Sequence, residues 1–339
     1  MQDTTLSPTN RKYLSLWLTL CAASVFVMAL IGAITRLTES GLSMVEWKPL
    51  IGVLPPLSMA EWERVFALYQ QSPEYKLINN GMALAEFKHI FFWEWLHRTW
   101  GHVIGAFFLL PFLFFWLTRR IPAWLMPRLL VLFALGGLQG FVGWFMVASG
   151  LVDRPSVSHY RLALHLGMAV LIYAVTLWQI YTLSVARVEN APSQLRCLGW
   201  WLLPLPVLTM VWGAFVAGLD AGFAYNTFPL MEGHVLPPEA WSLSPLWTNF
   251  VQNTAMVQFV HRTLAITTAF AIFFYASKLE RVDRKVAIAL GAVVLGQVAL
   301  GVATLLSHVN TELGTLHQGG ALTLLSVYLL SLYRLGRTK

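Results

Sequence analysis

The chain has 339 residues, of which 57% are hydrophobic and only 12% charged, and its mean hydropathy is +0.62. Soluble domains carry about 25% charged residues, so a water-soluble globule is excluded. The formal net charge of +7 would suit nucleic acid, but the placement of the basic residues argues for a membrane and against a nucleic-acid partner.

Eight apolar runs are long enough, at about 18 to 25 residues, to cross a bilayer. They lie at 14–34, 92–117, 129–148, 162–184, 198–219, 253–276, 286–306 and 315–333. The first is too long for a signal peptide, lacks a small-residue cleavage site and runs directly into a polar loop. Arg11, Lys12, Arg119, Arg120, Arg128, Arg187, Arg196, Lys278, Arg281, Arg284, Lys285, Arg334, Arg337 and Lys339 fall in the tails and even-numbered loops, whereas the loop 220–252 has no Lys or Arg. This asymmetry places both termini of a multi-pass protein in the cytoplasm. Cys21 and Cys197 both sit toward the cytoplasmic side, which argues against a structural disulfide.

The first outer loop, 36–90, is long and contains "SMAEWERVFALYQQ" (58–71). Ser58 and Glu61 form a capping-box pattern, and Trp62, Val65, Phe66 and Tyr69 recur at helical spacing. A short helix on the membrane surface or over the first group of spans is expected there.

The two halves of the chain resemble each other. "IGAITRLTESGLS" (31–43) matches "WGAFVAGLDAGFA" (212–224), and "EWLHRTW" (94–100) matches "QFVHRTL" (258–264). "LQGFVG" (138–143) pairs with "GQVALG" (296–301), and "LALHLG" (162–167) with "GTLHQG" (314–319). Four matches in one order predict an all-α integral membrane protein: eight transmembrane helices in two tandem four-helix bundles, 1–190 and 191–339. Gly136, Gly137, Gly140 and Gly143 offer small faces for close helix approach, and such faces permit association with a second copy.

His97, His165, His261 and His317 each lie a few residues into an even-numbered span, so all four share one depth toward the outer side. Ionisable groups inside a bilayer are functional by default. Two histidines facing each other from parallel helices suit axial ligation of haem iron. Zinc would want further ligands, and plain packing is the third reading. Arg98 and Arg262 follow two of these histidines, where they can either pair with haem propionates or reach the headgroups. His159 and His308, near the outer ends of spans, can assist with propionates or cap a helix; His89, His102 and His234 read as loop or surface residues. The halves differ at one position: Glu94 precedes His97 by three residues, and Gln258 precedes His261 by three. An ion pair with Arg98 would explain Glu94 structurally. A carboxylate beside a bound haem can instead act as a base or stabilise developing positive charge, which makes the first half the reaction site.

At these residues the chain is similar to the haem A synthase family. The segments "TRLTESGLSMVEWKPLIGVLPP" (35–56), "EFKHIFFWEWLHRTWG" (86–101), "VSHYRLALHLG" (157–167), "NTFPLM" (226–231), "VQFVHR" (257–262) and "LGTLHQGGAL" (313–322) carry the resemblance. The long first outer loop is similar to the proteobacterial and mitochondrial branch. The resemblance implies that haem O is the substrate and haem A the product, through two hydroxylations and loss of water that turn the C8 methyl into a formyl group. It implies that His97 and His165 hold the substrate haem, that His261 and His317 hold a haem b cofactor, and that Glu94 is the essential acidic residue. Haem O synthase and cytochrome c oxidase assembly factors are the implied partners. Some members carry a cysteine pair in the first outer loop; 36–90 has none, so a thiol mechanism does not transfer. A di-haem cytochrome b in quinol-linked electron transfer would also account for four histidines, and a repeat-built transporter is the third class.

Overall fold

The computed structural model describes residues 6–46, 54–150 and 155–337. The ends of the two expected bundles and residues 47–53 of the motif at 35–56 lie outside the described residues. Helix α1 runs Pro8–Leu37. Pro8 occupies a first-turn position that needs no N–H, and Ser7 Oγ accepts from the Asn10 N–H at 3.2 Å. Two short helices, α2 (Met59–Tyr69) and α3 (Pro73–Leu77), fill the outer loop. Helix α4 (Leu84–Leu117) begins eight residues before the expected second span and continues through Pro111, as lipid-embedded helices tolerate. His89 is therefore helical, as His102 is, and both are exposed, in keeping with the surface reading.

Helices α5 (Met126–Val147) and α6 (His159–Ser184) follow. The expected fifth span is two helices, α7 (Ser193–Leu202) and α8 (Pro204–Gly218). Pro204 has no N–H to donate and its ring crowds the carbonyl four residues earlier, so the axis breaks at Leu203. After the one-turn α9 (Asn249–Gln252) come α10 (Thr254–Leu279), α11 (Arg284–Leu306) and α12 (Thr311–Arg334). Asn253, Asp283 and Asn310 cap their starts by accepting backbone N–H bonds, which satisfies donors that a helix end leaves bare.

No β-strand occurs among the described residues. Seven segments are long and apolar enough to cross a membrane: α1, α4, α5, α6, α7 with α8, α10 and α11. The fold is that of an all-helical, multi-pass membrane protein. Helix α12 covers the expected eighth span with 24 residues, but Glu312, His317 and Gln318 in its first half keep it outside that set of seven. Its second half is deeply buried, with Leu322, Leu325, Tyr328 and Leu332 in one cluster with Tyr275 and Leu290. Outward faces carry Leu110 and Phe114 on α4, Phe141 on α5 and Phe270 on α10 in the open, an arrangement suited to lipid and unsuited to water.

Helix α1 packs on α4 and α6, and α5 on α6; in the second half α10 packs on α8 and α11, and α11 on α12. The halves meet through α1 against α12 and α6 against α8, the first span of each half lying on the last span of the other. An ion pair of 2.6 Å from Arg36 to Asp220 and a hydrogen bond from Tyr181 Oη to the Ser326 carbonyl at 2.9 Å cross this boundary. The loops after α1 and α8 turn alike: Glu39 and Asp220, equivalent in the repeat, take φ of 51° and 53°.

Helix α2 lies over the start of α4, the second of its two expected positions. Trp62, Phe66 and Tyr69 pack on Phe87 and Phe91. Ser58 Oγ accepts from the Glu61 N–H at 3.2 Å, while the Glu61 carboxylate receives Arg64.

Candidate functional site

Each of the four intramembrane histidines rests on a glycine of a neighbouring helix. A Cβ placed on Gly32 of α1 would sit 3.1 Å from His97 Cε1, and one on Gly143 of α5 would sit 2.9 Å from His165 Cε1. The second half repeats this with Gly213 of α8 at 3.1 Å from His261 and Gly301 of α11 at 2.9 Å from His317. Any side chain at these glycines would push the ring off its seat. These glycines were not singled out from sequence as ring seats, although all four fall at matched positions of the repeated segments.

The rings of His97 and His165 have centroids 6.4 Å apart with planes inclined at 38°. A metal ion bound midway at about 2 Å from each nitrogen holds two imidazole centres roughly 6 Å apart. The Nδ1 atoms of His97 and His165 are buried without a hydrogen-bond partner. His261 Nδ1 lies 3.1 Å from the Thr209 carbonyl and His317 Nδ1 lies 3.2 Å from Gln297 Nε2. Gln139 stands beside His165 in the equivalent manner. Among the described residues no three His, Cys, Asp or Glu side chains gather as a bare metal ion would require. The donor set is thus two imidazoles at a time, which suits a haem that brings its own four equatorial nitrogens.

Beside the first pair, α4 and α5 present exposed glycines. Gly136 and Gly140 share a face of α5 with Gly143, at i, i+4 and i+7, and a Cβ on either, or on Gly105 of α4, would meet nothing within 4 Å. Their counterparts in the second half are Val294, Val298 and Ala269, and Val294 is buried. Helices α10 and α11 pack extensively, whereas α4 and α5 touch sparingly.

Glu94 is buried, at 3% exposure, and turned toward the first outer loop. It accepts from Ser43 Oγ and the Met44 N–H, both at 2.7 Å, and pairs with Arg98. Arg98 also donates to the Met44 carbonyl at 3.0 Å. In the second half Arg262 donates to the equivalent Tyr225 carbonyl at 2.8 Å and to Gln258 Oε1 at 2.9 Å. Gln258 Nε2 in turn donates to the Ala221 carbonyl at 2.7 Å. Both arginines therefore clamp a loop to a histidine helix. The ion pair expected for Glu94 is present, and Arg262 has an amide in its place.

The remaining histidines separate clearly. His159 lies tilted against Tyr160 and meets Phe215 of α8 edge-on at 5.7 Å, so it belongs to the boundary between halves. His308 is exposed at the turn after α11 with φ of 54°. His234 is exposed in the loop before α10, bridged to Met231. In the outer loop Glu74 is buried; Tyr69 Oη donates to it at 3.0 Å, and Asn79 donates to Tyr69 Oη at 2.7 Å. Burial, reinforced by the charges of Glu94 and Glu39, pushes the Glu74 carboxyl up to about 8.

The spans define a multi-pass membrane protein with four histidines seated on glycines, two of whose rings face each other. The family model described as cytochrome oxidase assembly protein, COX15-CtaA, matches residues 15–329. The heme A synthase of Rhodospirillum centenum is 53% identical over 335 residues, covering 96% of this chain and 88% of its own length. That of Nitrosospira multiformis is 45% identical over 328 residues, covering 94% and 92%, and that of Parvibaculum lavamentivorans 42% over 333 residues, covering 97% and 96%. The chain belongs to the haem A synthase family.

Proposed function

We propose that this chain oxidises the C8 methyl group of haem O to a formyl group, producing haem A for cytochrome c oxidase. The observation that carries the reading is the pairing of His97 with His165 at ligation distance on glycine seats, one helical turn from an acidic residue that the other half lacks. In this reading the chain comprises two four-helix bundles, 1–190 and 191–339, with α12 as the eighth span. Both termini lie in the cytoplasm and the histidines toward the outer side of a bacterial inner membrane.

His97 and His165 would hold the substrate, and the exposed glycine face beside them supports exchange there. His261 and His317 would hold haem b, whose one-electron chemistry would carry away reducing equivalents; the valine-filled seam supports a resident group. Glu94, paired with Arg98 and oriented by Ser43 and Met44, would stabilise positive charge developing at the methyl carbon or receive its proton. Arg98 and Arg262 would complete the outer rim near the propionates while holding their loops. Haem O synthase and oxidase assembly factors are the natural neighbours for supply and delivery.

The test is expression of the full chain with a source of haem O, followed by extraction of pigment from purified protein. Haem A together with haem b is expected, with His97→Ala and His165→Ala abolishing haem A but sparing haem b. A folded, haem-loaded protein that yields only haem b would point to an electron-transfer cytochrome and end the proposal.

A further inference from the structure

Gln139 and Gln297 hold the same place in the two repeats, each four residues before a glycine seat. Gln139 Nε2 donates to the His165 carbonyl at 3.2 Å and stands 3.4 Å from that ring's Nε2. Gln297 Nε2 donates to the His317 carbonyl at 3.0 Å and stands 3.2 Å from that ring's Nδ1. In both halves one amide thus ties the backbone of the last-helix histidine to its ring. The Oε1 atoms of both glutamines are buried without a partner, an expensive state for a carbonyl oxygen. An imidazole bound to a metal through one nitrogen carries a proton on the other, and that N–H takes an acceptor which fixes ring rotation and ligand strength. A half-turn of the amide presents Oε1 to that proton in exchange for the Nε2 bond to the histidine carbonyl, and the two orientations of a glutamine amide have the same shape. His261 is served differently, by the Thr209 carbonyl, so the glutamines belong to the last-helix histidines of the repeat.

We infer that Gln139 and Gln297 are positioning residues for haem ligation, setting the ring rotation and donor strength of His165 and His317. The inference rests on the haem reading of the histidine pairs and deepens it. Gly320 provides a second handle, because a Cβ there would fall on the Gln297 side-chain oxygen.

The experiment uses purified full-length protein carrying haem b, with Gln297→Leu, Gln297→Glu and Gly320→Ala compared with wild type. Haem retention, the low-spin electron paramagnetic resonance signal and the midpoint potential are recorded. Gln297→Leu should weaken retention roughly 10- to 100-fold and raise the potential of the haem that remains. Gln297→Glu, with a stronger acceptor, should retain haem and lower the potential, and Gly320→Ala should move it in the direction of Gln297→Leu. Gln139→Leu should weaken added haem O by the same factor while leaving the haem b signal in place. A structural role alone would reduce retention without opposite shifts for leucine and glutamate. Unchanged potential and resonance in haem-loaded Gln297→Leu and Gln297→Glu overturn the inference alone. A well-folded wild type without histidine-ligated haem overturns the parent reading, and this one with it.

Discussion

Exchanging Glu94 and Gln258 tests whether each loop is matched to the residue that anchors it. Glu94→Gln places one oxygen and one NH2 where two carboxylate oxygens stood. One oxygen, Oε2, receives Ser43 and the Met44 N–H at 2.7 Å, and the other receives Arg98. If the amide oxygen faces the loop, its NH2 confronts the guanidinium; if it faces Arg98, the NH2 confronts the Met44 N–H. Ser43 can rotate its hydroxyl, but a backbone N–H cannot. A charge-assisted hydrogen bond contributes about 1.5–3 kcal/mol, and losing one partner of a buried ion pair costs about 3–5 kcal/mol. The substitution should therefore cost on the order of 3 kcal/mol of loop docking. Gln258→Glu should cost a similar amount for the opposite reason, because its oxygens would face the Ala221 and Tyr225 carbonyls now served by Nε2. Denaturant unfolding of the purified protein, with trypsin cleavage after Arg36 as a local readout, measures both. If either variant falls within about 0.5 kcal/mol of wild type, as neutral surface changes do, the matching argument is wrong. Ser43→Ala separates anchoring from chemistry: it removes one neutral donor, about 1 kcal/mol, and should preserve most haem A formation, which Glu94→Gln should abolish.

Two further outcomes follow from the outer loop and the glycine face of α5. Because burial raises the Glu74 carboxyl to about 8, the folded loop retains a proton that the unfolded chain has released above its ordinary value. The stability contributed by this group is complete below that value and is lost as pH rises through about 8. Proteolysis of 58–82 should accelerate from about pH 5 to about pH 8 in wild type, level off above, and be flat in Glu74→Gln; parallel profiles would refute the assignment. Gly136→Val with Gly140→Val introduces side chains into open space at positions where the second half has valine. Unfolding should be unchanged and haem b retained while haem O uptake falls at least tenfold; normal uptake would show that this glycine face does not serve the substrate.

Much of this architecture was legible in the residues, because lipid imposes strong rules on sequence. Apolar runs located the long helices to within a few residues, except where local chemistry intervened. Leu84–Phe91 extended α4 outward because Trp62, Phe66 and Tyr69 of α2 supply it with a packing surface beyond the bilayer. Pro204 divided the fifth span, a break that apolarity alone does not register. The four histidines stood out through the repeat, and His97 and His165 indeed face one another. Their glycine seats and glutamine partners were present in the same repeated segments, but Gly and Gln in a membrane helix carry many meanings until a ring is found against them. Glu94 was visible as the odd residue of the repeat; its direction was not, because Ser43 and Met44 reach it from 50 residues away in sequence.

On the proposed reading, the repeat also accounts for two haem sites serving different ends. Duplication supplied both halves with the same seats, the same glutamine and the same arginine-to-loop clamp, Arg98 to the Met44 carbonyl and Arg262 to that of Tyr225. Divergence then acted on positions that do not touch the imidazole edges. Valine and alanine in place of glycine closed the second seam, which favours a group that stays. Gly105, Gly136 and Gly140 kept the first seam open, which favours a group that comes and goes. With the clamp preserved, a carboxylate could be introduced only where the loop offered donors instead of carbonyls, and the Ser43 hydroxyl and Met44 N–H meet that condition. The acidic residue and its loop therefore have to be read as one unit: moving the glutamate alone into the second half would create a buried charge facing carbonyl oxygens, not a second reaction site.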